Sequence, residues 1–432
     1  MSRIKLILLS LGVAGLSFGL AACGSDSGTS TSSSSGGAAT LDLTIGDLIP
    51  LTGDLSDFGP PGDKAAQVAV AQINDAIKES GADHTVTLKT EDDQTSDQAG
   101  VSAARKLVAD GASCIAGSWA SSVSIPVARS VSIREGVLQI SPASTSDEIT
   151  GLDDNGLMNR TAPPDSFQGP TLADAIAADL GTAEGKTVNI GARNDSYGTG
   201  LAKTFSDAWT GLGGTIGEEV VYDPEAATYD SEASKITSGS PDATVIIDFP
   251  ETFAKVGPAL VRTGNYDPST TWGTDGLASS SLPKDVGTDA TEGFRGTAPG
   301  SPDKDQTSIA FGDLYTSSEP KDVDRQTFDA QNFDAVMLCY LAAVAAGSTD
   351  GQAMADKVQD ISAPPGTPYT FEQLPEAIKA LENGEDIDYQ GASGAIDMDQ
   401  NGDATAGVYD IYQYKGDAID IIGEEPVNTG GG

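Results

Sequence analysis

Histidine is almost absent from this 432-residue chain, His84 being the only one. No compact Ser-His-Asp or Cys-His constellation can be built around a single histidine at a loop-to-strand junction, and metal sites made of histidine clusters are excluded. Basic residues are scarce as well: 24 Lys and Arg face 64 Asp and Glu, a formal charge of −40. That balance argues against nucleic acid and against anionic lipid surfaces, since both need basic patches. Cysteine occurs three times, at Cys23, Cys114 and Cys339. The last two lie in apolar runs and read as buried free thiols, although an oxidising exterior would also permit a disulfide. Asp and Glu pairs abound, but at this acidity they arise by chance and sit on the solvated surface. Catalysis is therefore disfavoured, and the chain does not read as an enzyme.

What is present begins with a compartment signal. Arg3 and Lys5 precede an apolar run at residues 6–20 that is too short to span a bilayer comfortably. It ends in Leu20-Ala21-Ala22-Cys23, which resembles a bacterial lipobox and implies cleavage before Cys23 and lipidation of its thiol. Residues 24–40 are rich in Ser and Gly and lack periodicity, so they read as a flexible tether spanning about 20–25 Å. Residues 1–23 are then a leader, and the folded part works beside a membrane, extracytoplasmic and lipid-anchored.

From residue 41 onward, strand patterns alternate with helix patterns in two blocks, each implying a parallel sheet. The stretch 113–150 is central to the first block. Cys114-Ile115-Ala116 and Val137-Leu138-Gln139-Ile140 read as parallel strands joined by a helix, and their ends carry Ser118-Trp119-Ala120-Ser121 and Ser141-Pro142-Ala143-Ser144-Thr145. Both strand ends fall on one sheet edge, where open α/β sheets bind ligands. Hydroxyls and backbone amides there suit a small zwitterion; an ordinary βαβ unit with Ser-rich turns fits these residues equally. Residues 328–346 form the strongest helix pattern, and the C-terminal region from Gly391 reads as a β-hairpin turning at Asn401-Gly402. Two motifs are decoys. Asp397-Met398-Asp399-Gln400-Asn401-Gly402-Asp403 starts like a calcium loop, but the closing acid would fall on Val408. Gly181–Thr187 imitates a phosphate loop, yet it is one residue short and precedes a strand rather than a helix.

The segments IGDLIPLTGDLSDFGPPGDKAAQVAVAQIN, EDDQTSDQAGVSAARKLVADGASCIAGSWASS, VLQISPASTSDEIT, NRTAPPDSFQG, NDSYGTGLAKTF and FDAQNFDAVMLCYLAAV, in that order, resemble the periplasmic branched-chain amino-acid binding proteins of ABC transporters. The resemblance covers residues 41–425. It implies two Rossmann-like α/β lobes with parallel central sheets joined by three crossover strands, near Pro163, Gly300 and Gly402. Lobe 1 would comprise 41–162 and 299–401, lobe 2 would comprise 163–298 and 402–425, and 426–432 would be a disordered tail. It implies a ligand clamp in which Ser121, Thr145 and the Ala143 carbonyl hold the head group. Tyr197 and Asp275 approach from the other lobe, Asp275 pairing with the ammonium. Phe58, Trp119 and Phe249 offer an apolar wall. No cofactor and no metal are implied. The expected protein is a monomer that captures an aliphatic amino acid and delivers it to an ABC permease and its ATPase subunits. An amide, urea or aromatic acid as ligand, or a sensing role beside a receptor, are the alternatives.

Overall fold

The computed structural model describes residues 40–302 and 304–428. Cys23, its leader and all but the last residue of the tether lie outside them. The first sheet is parallel throughout, with β1 (Leu41–Ile49), β2 (His84–Asp92), β3 (Ala112–Gly117), β4 (Leu138–Ser141) and β5 (Met158–Arg160) in the order β2-β1-β3-β4-β5. The second contains β6 (Thr187–Arg193), β7 (Thr215–Tyr222), β8 (Ala243–Ile247), β9 (Thr271–Gly273) and β10 (Arg295–Pro299), which are mutually parallel. A small third sheet holds β11 (Thr367–Thr370), β12 (Ile387–Gly391) and β13 (Gly394–Ala395). The last two strands, β14 (Ala406–Lys415) and β15 (Ala418–Asn428), complete the second sheet in antiparallel sense, giving β15-β14-β10-β9-β8-β6-β7. The chain thus leaves the first sheet after β5, returns to its side after β10, and passes back again between β13 and β14.

Sequence explains the interior strands. β3 and β8 are short, largely apolar runs because helices cover both faces of a parallel sheet, whereas β1 alternates at its start, with Asp42 exposed. The helix Asp329–Ala346 is buried almost all round, packed between the first sheet and the helices Gly59–Ser80 and Gly351–Ser362. Each large apolar side chain fully buried there contributes about 1.5–3 kcal/mol. Ser96 caps the helix Asp97–Ala109, its hydroxyl accepting from the Ala99 amide at 3.5 Å. Asp334, buried in the core helix, accepts from Tyr389 Oη, the Ala392 and Ser393 amides and Ser393 Oγ at 2.6–2.9 Å, and so pins the small sheet to the core.

Several sequence expectations need correction. Cys114 and Cys339 are not free thiols but a disulfide joining β3 to the core helix, Cα–Cα 5.8 Å. Both are fully buried, and only the tertiary fold brings residues 225 apart into register. The C-terminal hairpin turns at Gly416-Asp417 rather than Asn401-Gly402. The Asn-Gly pair does make a tight turn, closed by the Met398–Ala404 bridge and by Asp399 accepting from the Asn401 and Asp403 amides. The strand that pairs with β15 begins only at Ala406. β15 runs on to Asn428, so residues 426–428 are paired strand and not tail. The helix expected between β3 and β4 is interrupted by a π-helical turn at Ala128–Ser132.

Candidate functional site

The C-terminal ends of β1, β3 and β4 face those of β6, β8 and β9. The loops at these ends enclose a narrow cavity, nearly filled by the side chains that line it. Leu55 and Phe58 come from the loop after β1, Trp119, Ala120 and Ser121 from that after β3, and Ala143 from that after β4. Tyr197, Phe249, Asp275 and Gly276 come from the second sheet, and Phe328 stands at the entrance to the core helix. An apolar cluster runs unbroken from Leu48, Ile49 and Trp119 to Tyr197, Phe249 and Trp272, so the two sides are closed upon each other.

Seven of the eight residues expected from the sequence line this cavity: Phe58, Trp119, Ser121, Ala143, Tyr197, Phe249 and Asp275. Thr145 does not. It lies buried behind the wall, its hydroxyl beside the Asp165 carboxylate but outside hydrogen-bond geometry. The Ser-rich turns behave differently from their expected role. Ser124 and Ser141 donate to the Ser118 carbonyl at 2.9 and 2.6 Å, the Ser144 hydroxyl lies 2.7 Å from Ser124 Oγ and 2.9 Å from the Trp119 carbonyl, and Ser118 donates to buried Asp93. Most of these hydroxyls therefore hold the two loops against each other. Ser121 is the one hydroxyl of the group that lines the cavity, and it also accepts from the Ser146 amide at 3.2 Å.

The cavity's apolar wall is aromatic. Phe328 meets Phe58 and Trp119 edge-on, with centroids 6.5 and 6.1 Å apart, and Phe249 stacks on Tyr197 at 5.0 Å. Phe328 adopts φ +73°, a left-handed backbone that a bulky residue rarely takes, and this turns its ring toward the cavity. Gly276 is required where it stands: a Cβ would lie 2.5 Å from the Asp248 carbonyl and 2.8 Å from the Phe249 ring.

Asp275 is the charged member of the lining. It is 2% exposed and accepts from Tyr197 Oη at 2.8 Å; the same hydroxyl lies 2.7 Å from Thr274 Oγ1. Burial pushes the Asp275 carboxyl up to about 6, opposed by the Tyr197 and Gln168 side chains. Behind it stands a second carboxyl that sequence reasoning missed. Asp165 is fully buried, neither of its oxygens has a hydrogen-bond partner among the described residues, and burial together with Asp275 and Asp147 raises it well above the usual range. Gln168 Oε1 and Tyr409 Oη are likewise buried and unpartnered, and the Tyr409 hydroxyl feels both carboxyls. On the other side, Trp119 Nε1 is a buried donor without a partner among the described residues. Among the described residues no lysine or arginine lines the cavity. Arg160, fully buried, works from behind: it donates to the Ser144 and Ser146 carbonyls at 3.3 and 2.9 Å and to Asp403 at 2.7 Å, gripping the turn on both sides of Thr145.

Chemically, this arrangement offers acceptors for an ammonium (the Asp275 carboxylate and the Ala143 carbonyl), a hydroxyl and an indole N–H as donors, and an aromatic wall. Nothing in the sequence singled out Asp165, because an acid at the first helical position after Pro163-Pro164 is ordinary helix chemistry.

The family model for periplasmic binding proteins matches residues 42–418. Among curated proteins, the chain is 28% identical over 394 residues to Leu/Ile/Val-binding protein homolog 3 of Brucella melitensis, covering 90% of this chain and 95% of the relative. It is 29% identical over 387 residues to Leu/Ile/Val-binding protein BraC3 of Rhizobium johnstonii, covering 88% and 94%. Its fold is that of the leucine-binding protein LivK of Thermotoga maritima (TM-score 0.72, 23% identity, 89% of this chain and 99% of the other). It is equally that of LivJ of Streptococcus pneumoniae in complex with isoleucine (TM-score 0.72, 18% identity, 90% and 99%). A solute-binding protein from R. palustris in complex with benzoate also shares it (TM-score 0.67, 16% identity, 90% and 97%).

Proposed function

The chain belongs to the periplasmic binding protein family, with the type I fold and the Leu/Ile/Val-binding kind of sequence, and we propose that it captures an aliphatic amino acid between its two sheets and delivers it to an ABC permease. Residues 41–162 and 299–401 form one lobe in this reading, and 163–298 with 402–425 the other. Asp275 pairs with the ligand ammonium, assisted by the Ala143 carbonyl, while Ser121 meets the carboxylate. Phe58, Trp119, Phe249 and Tyr197 enclose the side chain. Cys23 carries the lipid, and the Ser/Gly tether lets the folded part reach the permease.

The observation that carries this reading is the buried Asp275 carboxylate in an aromatic cavity that no base lines. A carboxylate buried without a counter-charge is costly, and an ammonium relieves that cost. An aromatic acid such as the benzoate of the R. palustris neighbour would instead bring a second anion beside Asp275.

Calorimetric titration of the purified protein with leucine, isoleucine, valine, alanine, urea, acetamide and benzoate tests it. Saturable binding of the aliphatic amino acids, lost in Asp275→Ala, is the expected result. Binding of benzoate or urea in their place would refute the ligand assignment. Partition of the expressed protein into a detergent phase, abolished in Cys23→Ser, tests the anchor separately.

A further inference from the structure

At the mouth of the cavity, outside the ligand wall, the loop after β1 reaches across to the second sheet. Arg193, the last residue of β6, is 4% exposed and meets three acids: Asp195 at 2.5 Å, Asp54 at 3.0 Å and Asp248 at 3.6 Å. Asp195 and Asp248 belong to its own sheet; Asp54 belongs to the opposite one. Asp54 Oδ2 also accepts from Thr252 Oγ1 at 3.1 Å. The guanidinium lies 3.7 Å over the Phe249 ring, and Phe249 stacks on Tyr197, whose hydroxyl donates to Asp275.

We propose that the Asp54–Arg193 pair is a clasp across the cleft, and that Arg193 is a positioning residue which ties closure of the cleft to the placement of Phe249, Tyr197 and Asp275. The geometry separates its two duties. With Asp54 withdrawn, Arg193 keeps Asp195 and Asp248 and stays over Phe249, so the second side retains its form while the cleft loses its hold. With Asp54 engaged, the closed arrangement is favoured before any ligand arrives. Apparent affinity then scales with the closed fraction, because a ligand that needs both sides binds only that fraction. Asp54 is 24% exposed, so salt reaches the pair and weakens it, unlike the buried contacts of the ligand wall.

The test compares the purified full chain with Asp54→Asn. Without ligand, small-angle scattering of the wild type should report a compact form that expands as sodium chloride is raised, reaching the dimensions that Asp54→Asn already has at low salt. The variant should be insensitive to salt. Leucine should dissociate faster from the variant, with affinity lowered about three- to tenfold and the rank order among aliphatic amino acids unchanged. Identical scattering of the two proteins at every salt concentration would overturn the clasp. So would an affinity loss that reorders the ligands, because that places Asp54 in the wall and not at the mouth. Thr252→Val, which removes one neutral donor to Asp54, should move scattering and affinity the same way by a smaller amount, and it decides the question if Asp54→Asn folds poorly. The binding arm rests on the amino-acid reading above. The scattering arm needs no ligand, so failure of leucine to bind either protein would sink that reading and leave the clasp to be judged by compactness alone.

Discussion

Lowering the pH should weaken ligand binding and strengthen the empty fold at the same time. Asp275 is held up to about 6 by burial, whereas an unfolded chain leaves an aspartate near its ordinary value of about 3.9. The ammonium requires the ionised form. Between about pH 7.5 and about pH 5 the ionised fraction of a group at about 6 falls to roughly a tenth, so the apparent dissociation constant should rise about tenfold. Stability runs the other way. A carboxyl raised by folding binds its proton more tightly in the folded state, so stability is lost as pH rises through the folded value and gained as pH falls toward the unfolded one. Asp93 and Asp334, raised to about 6, and Asp248, raised to about 7, add to the same sign, as do Asp47 and Asp165. Calorimetric titration with leucine between about pH 5 and about pH 8, in buffers of different ionisation enthalpy, reads both affinity and the proton released on binding. Thermal unfolding of the ligand-free protein across the same range reads stability. Asp275→Asn should flatten the affinity profile, and Asp165→Asn in the same assay isolates the second carboxyl. An affinity that stays flat from pH 8 to pH 5, or a slope that survives unchanged in Asp275→Asn, would refute the role of Asp275.

Asp275→Ala at neutral pH should cost about 2–5 kcal/mol of binding free energy, read as a 30-fold or larger rise in the calorimetric dissociation constant; a change under threefold would place the ammonium elsewhere. Replacing Cys114 and Cys339 together by serine opens a loop of 225 residues, and chain entropy sets the loss at about 5 kcal/mol, visible as a lowered denaturant midpoint that reductant no longer affects. Gly276→Ala should abolish leucine binding and lower the denaturant midpoint, because the new methyl meets the Phe249 ring and the Asp248 carbonyl; unaltered binding would show that the turn can shift. Asp334→Ala leaves two amides and two hydroxyls of the small sheet and its loop without their acceptor and should lower stability by about 3 kcal/mol in denaturant unfolding, with ligand affinity unchanged.

The alternation of strands and helices was legible because each parallel strand is a short apolar run between glycine- or serine-rich turns, as in Cys114–Ala116 and Ala243–Ile247. Ser121, Tyr197 and Asp275 were implied by the family resemblance, and the strand pattern supported them only in that each lies in a loop at a strand end. Other features depend on which strand ends meet in space. Asp165 and Tyr409 sit where the chain crosses between sheets, and their proximity to Asp275 follows from the second sheet taking β14 next to β10. The disulfide pairs residues 225 apart, beyond any local pattern. The serines misled in an instructive way, since the sequence shows that hydroxyls are present but not that Ser124, Ser141 and Ser144 would bond to the neighbouring loop. Phe328 was read as core because its helix is core, and only its backbone at φ +73° distinguishes it.

Charge acts on ligand choice at two ranges, and only one of them survives physiological salt. A net charge of −40 surrounds the whole molecule with negative potential, which attracts cations and repels anions. At about 0.15 M salt that field decays over about 8 Å, so it alters the rate of encounter far more than the final affinity. Asp275 and Asp165 lie out of solvent's reach, where screening is weak and each unit of charge counts for more. In the amino-acid reading proposed above, discrimination between a zwitterion and a simple acid therefore rests on the Asp275 carboxylate, which lines the cavity. A solute-binding protein of the same fold holds benzoate, so the shared fold alone does not fix the ligand.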